Sequence, residues 1–202
     1  FKTNADGLAS VLFIPVGTYT LEEQQHPGFA PMEAQEFTVT AENTASYPAK
    51  VGVENWPLYF TLTKTDKVTG KVLVNVPFKL MDSSGNAFRY TRQEDGSYKV
   101  TASGADTFLT DADGKALISH IPKGNYKLVE QTFDMYAAHA EVAVTVADTN
   151  TEENPASASL ENCPTAFKLT KVDAETKAAL DNVKFTLKDE SGNVVPIALM
   201  DD

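Results

Sequence analysis

The sequence has very little of the side-chain chemistry that builds disulfides or metal sites. It contains one cysteine and three histidines in 202 residues. Cys163 alone excludes an internal disulfide framework. With no second cysteine and no clustered histidines, neither zinc binding nor Cys/His catalysis is supported, and we expect no metal and no cofactor.

Positive charge and long apolar runs are also scarce. Lysine and arginine total 17 against 28 acidic residues, which gives a formal net charge of −11. This balance argues against nucleic acid and anionic membranes as partners. No apolar run approaches the roughly 18 residues of a membrane span, so we expect no membrane insertion in this segment. The chain shows no signal peptide at Phe1 and begins and ends mid-pattern, so we expect a segment of a longer protein.

Threonine, valine, phenylalanine and tyrosine are plentiful, whereas no long helical period stands out. Turn signals recur about every 8–12 residues, which is typical of an all-β sandwich. Strands are predicted over residues 58–66, 75–82, 86–92, 97–102, 106–110, 115–120, 125–132, 140–147 and 157–162. The stretch Asp111-Ala112-Asp113-Gly114 resembles the start of a calcium loop. Because Pro122 occupies the twelfth position, where glutamate is needed, we expect a hairpin turn instead.

The chain matches itself, without gaps, at an offset of 107 residues. The matching pairs include Phe60/Phe167, Leu62/Leu169, Lys64/Lys171, Asp66/Asp173, Tyr19/Tyr126, Glu23/Glu130 and Asn55/Asn162. A fixed internal period of this kind predicts tandem structural units. Residues 58–164 are interpreted as one complete unit. Residues 1–57 correspond to the C-terminal part of a preceding unit, and residues 165–202 to the N-terminal part of the next.

Three polar residues of the complete unit lie in phase with apolar residues that should face the core. Lys64 alternates with Phe60 and Leu62, Glu130 follows the Tyr126–Leu128 stripe, and Asn162 follows Leu160. Their equivalents in the partial units are Lys171, Glu23 and Asn55. A buried, unpaired ammonium is costly, so Lys64 is expected to find a partner or lose its proton.

If the three side chains converge, they can form a covalent bond. Burial favours a neutral amine beside a neutral acid. The Lys64 amine can then attack the carboxamide carbon of Asn162, while Glu130 polarises the carbonyl and shuttles protons, and ammonia leaves. Folding supplies the proximity that the reaction needs. The product would be a Lys–Asn isopeptide bond.

Several motifs resemble the Cna-B (collagen-adhesin B-type, SpaA-like) domains of Gram-positive surface adhesins and pilins. They are Lys64-Thr65-Asp66 with Thr69-Gly70, Val76-Pro77-Phe78-Lys79-Leu80, and Gly124-Asn125-Tyr126-Lys127-Leu128-Val129-Glu130; in addition, residues 19–29 are similar to the E-box of that family. The resemblance implies tandem prealbumin-like (reverse immunoglobulin) β-sandwiches with an internal isopeptide bond. By position it implies Lys64 and Asn162 as the cross-linked residues and Glu130 as the catalytic acid. The complete unit departs from the family where Phe133-Asp134-Met135-Tyr136 replaces the usual Pro-Gly-aromatic.

Each of the three residues has a simpler alternative. Lys64 could extend to solvent or protect a sheet edge. Glu130 could form a non-covalent buried ion pair with Lys64. Asn162 could be a turn residue before Pro164.

Together with this resemblance, the sequence predicts a structural stalk repeat of a cell-surface adhesin or pilus-like protein. The resemblance implies an extracellular location, at the cell surface or attached to the cell wall of a Gram-positive bacterium. Neighbouring repeat units would be its partners, and isopeptide formation would be a single autocatalytic event, not enzyme turnover. The alternative is a ligand-binding module that grips a host protein or glycan through the 133–139 loop or a groove between units. A hydrolytic enzyme lacks any repeated nucleophile–base pair.

Overall fold

The structure is a computed structural model that describes residues 1–137 and 139–199. The described residues form β-strands and contain no helix, which confirms the all-β class. The strands are β1 (Gly17–Leu21), β2 (Gln35–Val39), β3 (Tyr59–Asp66), β4 (Pro77–Met81), β5 (Arg89–Arg92), β6 (Tyr98–Thr101), β7 (Phe108–Leu109), β8 (Lys115–Ser119), β9 (Gly124–Glu130), β10 (Val142–Val146) and β11 (Ala156–Asn162).

Strands β3 to β11 form a sandwich of two sheets. One sheet has the order β10-β9-β4-β7 and the other has the order β11-β3-β8-β6-β5. Each of the nine strands predicted between residues 58 and 164 overlaps one of these strands. The sequence pattern succeeds here because period-2 alternation and turn residues coincide along the whole segment.

The core lies between the inner faces of the two sheets. Phe60 and Leu62 of β3 and Phe78 and Leu80 of β4 are fully buried. The rings of Phe78 and Phe108 stack with their centroids 5.9 Å apart. Burial of large apolar side chains from both sheets supplies the main stabilising free energy of the sandwich.

The first and last strands of the sandwich are neighbours. Strand β11 pairs with β3 in parallel, with Leu160 opposite Lys64 and Asn162 opposite Asp66. Strand β11 lies at the margin of the five-stranded sheet, where, among the described residues, it pairs with β3 alone. This topology brings residues from the two ends of the domain side by side.

Residues from Phe1 to Thr165 form one compact unit, and the chain from Ala166 onward forms another. In the first unit, β1 and β2 make an antiparallel pair, and the Phe29 ring packs edge-on against His120 with centroids 4.9 Å apart. In the second unit, the described residues 166–199 contain the isolated bridges Val172–Ala179 and Lys188–Val194 but no longer strand.

Local contacts recur at the 107-residue offset. Tyr19 donates a hydrogen bond to the Pro15 carbonyl, as Tyr126 does to the Pro122 carbonyl. The backbone hydrogen bond from Ala30 N to Trp56 O recurs as the bond from Ala137 N to Cys163 O, and the Phe29–Pro57 bridge recurs as the Tyr136–Pro164 bridge. The Asp66 and Asp173 carboxylates each accept hydrogen bonds from the backbone N–H groups two and three residues further along the chain. At these positions, equivalent residues therefore make equivalent local contacts.

One expected turn differs from its prediction. Asp111 accepts backbone hydrogen bonds from Asp113 and Lys115, so a tight turn is present. It is not a hairpin, because β7 belongs to the four-stranded sheet and β8 to the five-stranded sheet. Turn residues encode a chain reversal, whereas the sheet that each strand joins depends on its buried face.

Candidate functional site

The site is built around Lys64, whose side chain is fully buried. Alternation along β3 places it on the same face as Phe60 and Leu62, as the sequence predicts. Burial lowers the pKa of the Lys64 amine from its ordinary value, while the nearby Glu130 carboxyl acts in the opposite direction. The alternative in which this lysine reaches solvent is wrong, because none of its surface is exposed.

Asn162 is the last residue of β11 and is 1% exposed. Its Oδ1 atom lies 2.6 Å from the Lys64 Nζ atom. The alternative that makes Asn162 a turn residue is wrong, since the side chain points into the sandwich from a paired strand. The parallel pairing of β3 with β11 places the Asn162 amide next to the Lys64 amine.

Glu130 ends β9 in the opposite sheet, and its side chain is 3% exposed. One carboxyl oxygen, Oε2, lies 3.6 Å from Lys64 Nζ. The other oxygen, Oε1, accepts a hydrogen bond from the Asn162 Nδ2 atom. The structure therefore brings Lys64, Glu130 and Asn162 into mutual contact inside the sandwich. Among the described residues Oε2 has no hydrogen-bond partner.

This arrangement places one carboxyl oxygen beside each of two nitrogens. Oε2 is near the lysine amine and Oε1 contacts the amide nitrogen of Asn162. A carboxyl group in this position can accept a proton from one nitrogen and give a proton to the other. The geometry favours the proton-shuttle role predicted for Glu130 over the carbonyl-polarising role, since its contact with the amide is made through nitrogen.

The same geometry is also compatible with a buried ion pair. A lysine and a glutamate 3.6 Å apart in a core can remain non-covalent when hydrogen bonds satisfy their other polar atoms. The two alternatives differ in the covalent state of the chain, so a mass measurement separates them.

The equivalents in the partial units are arranged differently. Asn55 Nδ2 lies 2.8 and 2.7 Å from the two carboxyl oxygens of Glu23, so this pair also meets, but Glu23 is exposed and Asn55 is only half-buried. Lys171 belongs to the second compact unit, is exposed, and has its Nζ atom 3.5 Å from the Val172 carbonyl oxygen.

Asp66 and Tyr136 contact each other next to the site, and the sequence reasoning assigned no role to either residue. The Tyr136 hydroxyl donates a hydrogen bond of 2.8 Å to Asp66 Oδ2, and Asp66 is 6% exposed. The burial of Asp66 could have been predicted, because alternation along β3 places it on the same inward face as Lys64. Tyr136 occupies the position of Phe29 at the 107-residue offset, but a hydroxyl contact across 70 residues has no sequence pattern.

Other expectations concern metals, membranes and the cysteine. Within residues 1–137 and 139–199 there is no group of three His, Cys, Asp or Glu residues that could hold a metal ion. No helix in this part of the chain has the length and apolarity needed to cross a bilayer. Cys163, the single cysteine of the sequence, is exposed.

Comparison with protein families gives a match over residues 59–157 to the model described as SpaA, a prealbumin-like fold domain. Residues 59–157, which make up most of the sandwich, are therefore similar to SpaA prealbumin-like domains. This confirms the resemblance to SpaA-like domains that the motifs indicate. A comparison with curated proteins gives no match.

Solved structures similar to the chain include two pilins. Shaft pilin SpaA from Lactobacillus rhamnosus GG is 21% identical, with 83% of this chain and 70% of that chain covered and a TM-score of 0.45. GBS52, the minor pilin of Streptococcus agalactiae, is 24% identical, with 85% of this chain and 70% of that chain covered and a TM-score of 0.46.

Proposed function

We propose that this SpaA-type domain is a structural stalk unit that locks itself with an isopeptide bond between Lys64 and Asn162. The observation that carries the proposal is the mutual contact of three buried polar side chains from three strands and both sheets. Burying such a cluster costs desolvation free energy, which apolar side chains of similar size in the same place would not cost. Its members also match the positions that the family resemblance implies.

The reaction is a transamidation that needs no external reagent. The neutral Lys64 Nζ atom attacks Cγ of Asn162, which forms the Nζ–Cγ bond. Glu130 carries a proton from the attacking nitrogen to Nδ2, the Cγ–Nδ2 bond breaks, and ammonia leaves. Held in contact by the fold, the amine and the amide react as one molecule. Glu130 is regenerated, but the chain reacts once, so this is not enzymatic turnover.

The mass of the intact chain tests the proposal directly. We expect wild-type protein to be lighter than its sequence mass by one ammonia, about 17 Da. Lys64→Ala and Glu130→Ala should each restore the full mass, whereas Glu141→Ala, which changes an exposed glutamate, should not. An unchanged wild-type mass would leave the buried ion pair as the better account.

The same variants should differ in stability. The cross-link would close a loop with a sequence separation of 98 residues. A loop of that length corresponds to roughly 4–5 kcal/mol in the chain-entropy model, as an upper figure. Denaturant unfolding of wild type and Glu130→Ala measures this difference.

The proposed setting is the outer surface or wall of a Gram-positive cell, in a pilus-like or adhesin stalk. Shaft pilin and minor pilin structures are among those similar to this chain, and SpaA-type sandwiches provide the unit. The contacts that recur at the 107-residue offset support a tandem arrangement. Residues 58–164 would then be a complete unit between partial units at 1–57 and 165–202, with Glu23, Asn55 and Lys171 as the equivalent site residues.

The alternative, a module that binds a host protein or glycan, would use the 133–139 loop. In the structure Phe133 and Tyr136 stack on each other with centroids 5.3 Å apart, and Tyr136 is bonded to Asp66. These internal contacts engage the loop with its own domain and favour the stalk function. A binding screen of the chain against host matrix proteins and glycans distinguishes the two, since a stalk unit should give no specific hit.

A further inference from the structure

The loop that follows Glu130 joins β9 to β10 within the four-stranded sheet and also contacts the five-stranded sheet. Residues 133–137, here named the strap, come directly after β9, the strand that carries Glu130. The Tyr136 hydroxyl in the strap donates a 2.8 Å hydrogen bond to Asp66, the last residue of β3. Strand β3 also carries Lys64, so one hydroxyl connects the loop beside the acid to the strand of the amine.

The strap is also attached to the chain that follows Asn162. Ala137 N donates to the Cys163 carbonyl at 2.9 Å, and Thr165 N donates to the Met135 carbonyl at 2.8 Å. Tyr136 forms an isolated bridge with Pro164 between these two bonds. The strap is therefore bonded to the segments next to both cross-linking residues.

Asp66 is held rigidly enough to serve as an anchor. Its Oδ1 atom accepts the Val68 and Thr69 N–H groups at 2.8 Å each, which leaves Oδ2 for Tyr136. In the β3–β11 ladder Asp66 lies directly opposite Asn162. If the Tyr136–Asp66 hydrogen bond lengthens, the sheet that carries Glu130 can therefore move relative to the Asn162 amide.

The strap also sets the space beside the acid. A cavity of about 140 Å³ is lined by Glu130 and by three strap residues, Phe133, Tyr136 and Ala137. Glu130 comes from the four-stranded sheet, whereas Lys64 and Asn162 come from the five-stranded sheet. Their alignment depends on contacts that hold the two sheets in register at this end of the sandwich.

We propose that Tyr136 is a positioning residue for isopeptide formation, acting through its hydrogen bond to Asp66 to hold Glu130 against Lys64 and Asn162. This inference rests on the proposed function and adds a residue to it. Reactions between fixed groups are sensitive to small displacements, and a shift of about 1 Å can slow them about a hundredfold.

The test compares two tyrosines that each donate a hydrogen bond to an oxygen. Tyr136→Phe removes the hydroxyl that binds Asp66 and keeps the ring. Tyr126→Phe removes a hydroxyl that binds the Pro122 carbonyl, away from the site, and serves as the matched control. Each full chain is made by cell-free synthesis, and the fraction that has lost ammonia is followed over time by denaturing mass spectrometry.

We expect Tyr136→Phe to lose ammonia at least about tenfold more slowly than wild type, and Tyr126→Phe to react at the wild-type rate. Asp66→Asn, which alters the acceptor and leaves the strap sequence unchanged, should slow the reaction as well. Circular dichroism of each variant in the Glu130→Ala background, which forms no bond, reports folding separately from the reaction rate.

Two results would overturn the positioning role. In one, Tyr136→Phe and Asp66→Asn form the bond at the wild-type rate; in the other, Tyr126→Phe is slowed equally, which would show an effect of general stability. Failure of the proposed function looks different: wild type itself would keep its full mass, and the role of Tyr136 would fall with it.

Discussion

At the scale of single residues, the chemistry of the site follows from burial. Lys64 has no exposed surface, and burial lowers the pKa of its amine. A lowered pKa increases the fraction of neutral amine, the form that can attack an amide. In the proposed reaction, the fold would therefore both generate the nucleophile and position its target.

Asp66 gives a pH prediction at the same scale. The Thr69 N–H and the Tyr136 hydroxyl donate to the Asp66 carboxylate, and these bonds lower its pKa below the ordinary value. The stabilisation that Asp66 provides is therefore complete above the unfolded pKa, about 3.9, and is lost as the pH falls through the folded pKa.

We expect Asp66→Asn to be less stable than the parent chain at neutral pH, with a difference that shrinks below about pH 3.9. Denaturant unfolding across a pH series, in the Glu130→Ala background, measures this without the cross-link. A difference that stays constant down to the lowest pH would contradict the explanation.

The burial of the three central residues of the candidate site could be predicted from the sequence because each lies on a strand. Period-2 alternation assigns a face to every strand residue, so a polar residue in phase with Phe60 and Leu62 signals a buried polar group. Tyr136 lies in a loop, where no regular alternation of side chains predicts which way its ring points. Its contact with Asp66 arises only from the packing of two sheets.

At the scale of elements, the strap keeps a turn whose usual glycine is absent. Met135 has φ of 70°, and Gly28, its equivalent at the 107-residue offset, has φ of 85°. A residue with a Cβ atom pays roughly 1–2 kcal/mol in this left-handed region. The departure from the family motif therefore changes the residue and not the backbone path.

Met135→Gly should relieve this strain and raise the free energy of unfolding by up to about 1 kcal/mol, since the greater freedom of glycine in the unfolded chain offsets part of the gain. Asp134→Gly is the matched control. Asp134 does not have positive φ, so glycine there should destabilise the strap. Thermal or denaturant unfolding compares the two variants. A loss of stability in Met135→Gly would show that its side chain contributes more than the backbone strain costs.

The turn at Asp111 has a tertiary setting that could not be predicted from its sequence. Its residues predict a reversal correctly, but the flanking strands join different sheets. Gly114 at this turn has φ of +67°, and a Cβ there would come within 2.7 Å of the Lys64 carbonyl oxygen. The turn is thus packed against β3, a tertiary contact that local sequence does not encode.

At the scale of the whole molecule, the parallel pairing of β3 and β11 determines the path of a stretching force. Tension enters the sandwich at the start of β3 and leaves after the end of β11. A bond between Lys64 and Asn162 would carry the load directly between these strands. The segment between them, with a sequence separation of 98 residues, would then bear no tension.

Single-molecule stretching of the chain tests this prediction. Without the bond, unfolding would release about 330 Å, from 98 residues at roughly 3.4 Å each. We expect this step in Glu130→Ala and its absence in wild type. A step of that length in wild type would contradict the load-bearing role even if the bond is present.

The position of β11 at the margin of its sheet has a separate consequence for a crowded array. A marginal strand can detach and be replaced by the same strand of a neighbouring copy, and a high local concentration of copies encourages such swaps. Joining β11 permanently to β3 would forbid the exchange. Each copy of the domain would then keep its own β11, and neighbouring copies could lie side by side without exchanging strands.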